Sequence, residues 1–501
     1  MISRENILLT ILIGLLLVVY GVAYFLSYQV NGENFLYFSL SDGLIYAQYV
    51  KSMMLGSFYQ YNIGEYSTGT TSFLWPYIVY FVGKILNIDA TNIHIAFHLT
   101  SFILVILSSI LSFKIMMRLT SNNILAFITT LVTILYFKII WSTMSGLEIN
   151  LAIFILYLSV YLFIVNRIYL FIIISSLFYM IRPEMILLNI PFILYFLFKR
   201  EYKYLLMYII LIGIFLSITF TVYYHVSDKI FPSTFYSKAS SFSLKAFAVN
   251  ALVFIPEYLF GYSENNNSLI ILLIVFLGYK FSKYNDQTKG INLLFYGILV
   301  FLFYKTILSP GLGQMNRYFI FIEPLIILLF FYSIKDIGNR KYIYIASIII
   351  SITSFASFAK VKNPYIISSM NQGAMGMSNY ITTHLDNNTA IAIENAGMKY
   401  FLDNKTVDIV GLTTKELNTK ENLYRKDDMS FIFNYLSTNN VEYIQFFPTW
   451  FERIYGKEPE FLTKIYELKI NNPIFNVERW AIYRFNKEDY DAYISNNDGK
   501  K

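Results

Sequence analysis

Five charged residues stand where a charge has a reason to be: Asp42, Glu148, Arg182, Glu184 and Arg317. Four of them sit at the edges of long apolar runs, Asp42 lies in the polar stretch after the first run, and a sixth, Lys238, lies in a long polar loop. A carboxylate can take the proton of an attacking hydroxyl, and guanidinium and ammonium groups can hold a phosphate leaving group. Charge at membrane depth costs roughly 2.5–3.5 kcal/mol at mid-helix and is usually retained for function.

The runs that position these residues are membrane spans. Of the 501 residues, 56% are hydrophobic and 14% charged, with 44 Tyr and 46 Phe. A water-soluble core cannot hide that much apolar surface. Cysteine is absent, which excludes disulfides and thiolate metal sites. The net charge of +7 is no nucleic-acid signal here, because basic residues mark cytoplasmic loops first. Residues 7–27 form an uncharged run long enough to span the bilayer. Further spans are expected at 93–117, 122–140, 148–165, 168–181, 185–198, 203–225, 268–282, 291–308, 318–334 and 342–359. Alternate loops then carry the Lys and Arg clusters, with the N-terminus cytoplasmic and the C-terminus outside.

The expectation is a polytopic α-helical membrane protein of about 11 spans with interfacial helices. Residues 1–360 form the membrane module, with outer loops 30–92 and 226–267, and residues 361–501 form a small extracytoplasmic α/β domain. The segment 42–56 has apolar residues at helical spacing and reads as an interfacial helix. Residues 73–86 read as re-entrant or interfacial, and 248–259 as a second interfacial helix. In the tail, 390–393, 407–410, 441–446 and 480–484 read as strands, and 379–385, 431–437 and 459–466 as helices. His94 and His98 have metal-like spacing, yet no third ligand accompanies them, which favours packing histidines.

An ordered series of motifs gives these residues a family. It runs Ser41-Asp42-Gly43-Leu44-Ile45, Asn62-Ile63-Gly64-Glu65, Gly69-Thr70-Thr71-Ser72-Phe73-Leu74-Trp75 and Ser145-Gly146-Leu147-Glu148. Arg182-Pro183-Glu184, Phe231-Pro232-Ser233-Thr234-Phe235-Tyr236-Ser237-Lys238, Arg317-Tyr318, Ala396-Gly397 and Asp408-Ile409-Val410-Gly411-Leu412-Thr413 follow. The chain resembles integral-membrane glycosyltransferases of the GT-C type, in the group of bacterial mannosyl- and arabinofuranosyltransferases that use polyprenyl-phosphate sugars. The resemblance implies a polyprenyl-phosphate-linked donor, a glycan, lipid or protein acceptor, and inverting transfer on the outer face of the cytoplasmic membrane. It implies Asp42 and Glu148 as the catalytic acids. Glu65, Arg182, Glu184, Tyr236, Lys238 and Arg317 would bind substrate. No cofactor is required by the pattern, although it leaves room for a divalent metal, with ligands unassigned. Two positions depart from the family: Ser41 replaces the first acid of its pair, and Thr68 replaces a Glu. An envelope-polysaccharide polymerase or ligase, a lipid-linked glycan transporter and a catalytically altered paralogue are the alternative readings.

Overall fold

The computed structural model describes residues 4–31, 34, 36–238, 289–307, 317–335, 369–419, 422, 428–470 and 478–498. The expected spans 268–282 and 342–359 and the expected interfacial helix 248–259 lie outside these residues.

The chain opens with α1 (Arg4–Asn31), followed by α2 (Ser41–Met54), a small hairpin of β1 (Gln60–Asn62) and β2 (Glu65–Tyr66), and α3 (Leu74–Ile85). The bundle continues through α4 (His94–Thr120), α5 (Asn123–Leu135), α6 (Phe137–Met144), α7 (Ile149–Ile164), α8 (Ile168–Ser176) and α9 (Phe178–Ile181). A 3-10 turn (Pro183–Asn189) leads into α10 (Ile190–Phe198), α11 (Tyr202–Ser227) and the short α12 (Ser233–Lys238). Beyond these lie α13 (Lys289–Ile307) and α14 (Glu323–Ser333).

Three described helices are long and apolar enough to cross a membrane: Arg4–Gln29, His94–Thr120 and Tyr202–Ser227. The pair α5 and α6, bent by 50°, makes a fourth if it is counted as one broken span. Their burial separates centre from rim. In the most apolar stretch of each, 61% of α4 is buried, against 22% of α1 and 11% of α11. Among the described residues, these two leave Leu, Ile and Val on their surfaces. The central helix hides its hydroxyls instead. Thr100, Ser108 and Ser109 donate to the carbonyls four residues back, as do Thr129 and Thr133 in α5.

Local signals explain the helix ends. Asn122 caps α5 by accepting from the N–H groups of Ile124 and Leu125. The expected single span 122–140 is interrupted because Tyr136 is extended, at φ −69° and ψ 113°. The expected span 318–334 is helical only from Glu323, with turns across 317–322. Pro324 suits the first turn of that helix, where its missing N–H is not needed.

The C-terminal unit is a five-stranded sheet in the order β4-β3-β5-β7-β6. Its strands are β3 (Ile391–Ile393), β4 (Thr406–Asp408), β5 (Tyr443–Phe446), β6 (Leu462–Lys469) and β7 (Arg479–Phe485). β3 lies parallel to both β4 and β5, while β7 is antiparallel to β5 and β6. α15 (Ser369–His384) packs Ala374, Met377 and Ile381 on one face. α16 (Ser430–Thr438), α17 (Pro448–Tyr455) and α18 (Lys487–Asp498) pack Ile432, Phe433, Phe451 and Tyr490 on the other. Residues 459–466, expected as a helix, instead enter β6 at Leu462. Sheet pairing with β7 overrides the local pattern, because an edge strand exposed on one face alternates weakly.

Candidate active site

The site forms where the start of α2 meets the turn before α7. Gly43 and Gly146 make the approach possible. A Cβ on Gly43 would fall 2.3 Å from the Ser145 carbonyl oxygen, and one on Gly146 would fall 3.0 Å from the Gly43 Cα. Gly146 also has φ +75°, a left-handed conformation that favours glycine. The two motifs Ser-Asp-Gly and Ser-Gly-Leu-Glu are thus halves of one contact, and it brings Asp42 and Glu148 to the same region.

Asp42 receives the Arg317 guanidinium at 2.7 Å. The Asp42 side chain is 40% exposed and that of Arg317 only 13%. Behind this pair lies a second, more buried group. Arg182 Nε is 3.4 Å from Glu148 Oε1 and 3.3 Å from Glu184 Oε1. Arg182 also reaches the Arg317 carbonyl at 3.4 Å, and its guanidinium stacks over Tyr318 and Phe321. Arg317 stacks over Tyr318 from its own side. Three carboxylates therefore share two guanidinium groups among the described residues. Several atoms in the cluster are buried without a hydrogen-bond partner: Glu148 Oε2, Arg182 Nε and Arg317 Nη1. Arg182 Nε is held by the charge of the two carboxylates beside it, while Glu148 Oε2 and Arg317 Nη1 keep hydrogen-bonding capacity that no neighbour takes up.

The segment 68–75 is the hub that holds these arms together. Phe73 N–H donates to the Met180 carbonyl, and Trp75 Nε1 donates to the Gly146 carbonyl at 2.9 Å. Ser72 N–H donates to the Tyr46 hydroxyl at 2.9 Å, and Ser233 N–H donates to the Thr68 carbonyl. Thr68, where the resembling family has Glu, is buried, with its hydroxyl bonded to Ser227 and Ser233. It ties α12 to the hub and carries no charge into the site.

Not every expected residue joins the cluster. Glu65 is about half exposed, ion-paired with Lys405 and accepting from Asn62. It fastens the hairpin to the C-terminal unit. Tyr236 lies beneath the Lys229 ammonium, which is bonded to Asn418. Lys238 ends α12, and its side chain is outside the described residues. His94 and His98 are packing residues. His98 bonds Tyr24 and the Leu36 carbonyl through its two ring nitrogens, and His94 bonds Tyr400. Among the described residues, no three His, Asp or Glu side chains converge as metal ligands.

The helix α2 reads in sequence as interfacial with a solvated polar face. In the structure both faces are buried, including Ser41, Gln48 and Ser52. The C-terminal unit covers them. The Tyr61 hydroxyl donates to the Ala396 carbonyl, and Lys51 donates to the Tyr400 carbonyl at 3.2 Å. Asn62 bonds the Thr406 backbone in both directions, and Gly397 lies against the Ser41 carbonyl. Asp408 is wholly buried, and burial raises its carboxyl pKa against the N–H bonds from Thr413 and Val410. Those bonds shape the turn 408–413, which packs on Gly69. Sequence reasoning overlooked Tyr46, and also Lys138 and Glu323, a buried ion pair of 2.7 Å with both partners no more than 2% exposed. Their charge inside apolar runs was the available signal.

Fold and site together define a polytopic helical membrane protein with a buried acid and guanidinium cluster beside a C-terminal α/β unit. The chain shares its fold with ArnT from Cupriavidus metallidurans, solved bound to undecaprenyl phosphate. That likeness has a TM-score of 0.59 at 10% identity and covers 94% of this chain and 97% of the other. Residues 365–492 match a family model described as a domain of unknown function (DUF8728). No curated protein matches the sequence.

Proposed function

We propose that the protein transfers a sugar from a polyprenyl-phosphate donor to a hydroxyl acceptor on the outer face of the membrane. The observation that carries this reading is the Asp42–Arg317 pair set against the buried Arg182–Glu148–Glu184 group. It supplies a base, a phosphate clamp and a sugar-orienting acid within one cluster. The fold shared with a structure holding undecaprenyl phosphate supports a prenyl-phosphate ligand.

In this reading the donor phosphate takes up the remaining donors of Arg317 and Arg182, with Lys238 as the third cation. Arg offers a planar fork to phosphate oxygens. Phosphate binding draws Arg317 away from Asp42, whose carboxylate then accepts the acceptor hydroxyl proton. The acceptor oxygen attacks the anomeric carbon, the bond from that carbon to the phosphate oxygen breaks, and the prenyl phosphate leaves with both electrons. Glu148 orients sugar hydroxyls through its unpartnered oxygen, and Glu184 holds Arg182 in place. In this reading the chain crosses the membrane 11 times, with the N-terminus inside and the C-terminal unit outside.

Replacing Asp42 with Asn keeps the shape and removes the proton acceptor. Turnover of a fluorescent prenyl-phosphosugar should fall by roughly 10²–10⁴-fold, the usual contribution of a positioned base, with donor binding retained. Transfer at the wild-type rate would remove Asp42 from the mechanism. Failure of the wild type with every such donor would favour the altered paralogue, since Ser41 is far too weak a base to substitute.

A further inference from the structure

The hydrogen bonds around Glu148 do not close with the residues so far assigned. Tyr46 is four residues after Asp42 on α2, so the two side chains leave the same face of the helix. It is buried, 4% exposed. Its hydroxyl oxygen is occupied, accepting the Ser72 N–H at 2.9 Å. The phenolic proton therefore needs an acceptor of its own. Glu148 and Arg182 are the charged groups that act on this hydroxyl, and Glu148 acts more strongly. Arg182 is a donor only. Glu148, for its part, has Arg182 at Oε1 and a buried Oε2 without a partner. The close contact of Gly43 with Ser145 and Gly146 brings α2 against the turn before α7, so a phenolic donor on one and an unpartnered carboxylate oxygen just after the other belong to the same cluster.

We propose that Tyr46 is a positioning residue, donating its hydroxyl proton to the Glu148 carboxylate and fixing that acid relative to Asp42. The chain Ser72 N–H to Tyr46 to Glu148 is then continuous. Each member of it sits on a different arm of the site: the hub, α2 and the start of α7. A single hydroxyl so reports the placement of α2 to the acid. With one lone pair taken by Tyr46, Glu148 keeps a fixed orientation and a remaining lone pair for a substrate hydroxyl. The contribution to turnover rests on the glycosyl-transfer reading; the hydrogen bond does not.

A thermodynamic cycle separates the two. Thermal unfolding of the full-length protein in lipid nanodiscs would compare wild type, Tyr46→Phe, Glu148→Gln and the double variant. Loss of the Ser72 acceptor is common to both backgrounds and cancels. Tyr46→Phe should lower the midpoint clearly with Glu148 present and much less in the Glu148→Gln background. Equal shifts in both backgrounds overturn the bond. Should Glu148→Gln fail to fold, infrared difference spectra of Tyr46→Phe against wild type decide it. A shifted carboxylate band supports the bond, and an unmoved spectrum overturns it. Transfer assays then address positioning. Tyr46→Phe should lower kcat roughly tenfold or more, the rate equivalent of a charged hydrogen bond. The Kd of a prenyl-phosphate analogue should stay unchanged. A wild-type kcat with coupling present overturns the positioning role. A wild type inactive with every prenyl-phosphosugar defeats the functional reading, while the unfolding cycle still decides the bond.

Discussion

Arg317 and Arg182 differ in what their removal leaves behind. Arg317 pairs with a carboxylate that water can reach, so Arg317→Ala should lose affinity for a prenyl-phosphate analogue by roughly 1.5–3 kcal/mol while the fold survives. Arg182 sits between Glu148 and Glu184, both nearly buried. Arg182→Ala should lose the same affinity and also lower the unfolding midpoint, because two buried carboxylates lose their common partner. Titration of the analogue by fluorescence, alongside thermal unfolding, checks both. Affinity unchanged in both variants would return these residues to the role of helix-end anchors.

Elements place the residues, and two contacts control the elements. Glu323 accepts from Lys138 at 2.7 Å and from the Tyr136 hydroxyl at 2.7 Å. Lys138 lies ten residues before Glu148, and Glu323 lies six after Arg317. The pair thus straps the bend between α5 and α6 to the start of α14, fixing both arms of the site. Lys138→Met leaves a buried carboxylate alone and should destabilise by about 3–5 kcal/mol. The double variant Lys138→Met with Glu323→Leu should recover much of that loss in the same unfolding measurement. The second contact is the face of Gly43 on Ser145. Gly43→Ala drives a Cβ into a carbonyl, so it should cost about 1–3 kcal/mol and move Asp42 away from Glu148. A Gly43→Ala enzyme with normal stability and turnover would show that the approach is looser than the structure has it.

At the scale of the whole molecule, the C-terminal unit closes over α2. Lys399 lies in that contact, donating to the carbonyls of Asp403 and Asn404. Burial, and then the charge of Lys51, lowers its pKa to about 8 from the ordinary 10.5. The unfolded chain keeps this proton up to the higher value, so between the two the unfolded state binds more protons. Stability from this group therefore rises with pH across that window. The unfolding midpoint of wild type should climb relative to Lys399→Met from about pH 8 to about 10.5. A constant difference would show that the ammonium stays charged in the fold. Membrane orientation is tested separately: a reporter enzyme fused after Lys360 should signal the outer side, and one fused after Lys203 the cytoplasm. Reversed signals would invert the 11-span arrangement.

Much of this was legible in the chain. Uninterrupted apolar runs fix helices, because in lipid every backbone group must be satisfied within its own segment. The ordered motifs singled out Asp42, Glu148, Arg182, Glu184 and Arg317, which the structure gathers in one cluster. The tail's strands β3, β4, β5 and β7 were readable from short β-branched and aromatic runs, while their order and the parallel pairing of β3 with β4 and β5 were not. What sequence could not decide were relations between distant segments. The break at Tyr136 and the strand β6 depend on partners far along the chain, α14 and β7. Glu65 carried the same motif credentials as Glu148, yet pairs with Lys405, some 340 residues away. Tyr46 looked like one more Tyr among 44 until the tertiary structure set its hydroxyl on the Ser72 N–H, which is where the proposed bond to Glu148 starts. Periodicity and charge placement are local and survive in sequence. Which buried donor meets which buried acceptor is settled only when the packed arms close on one another.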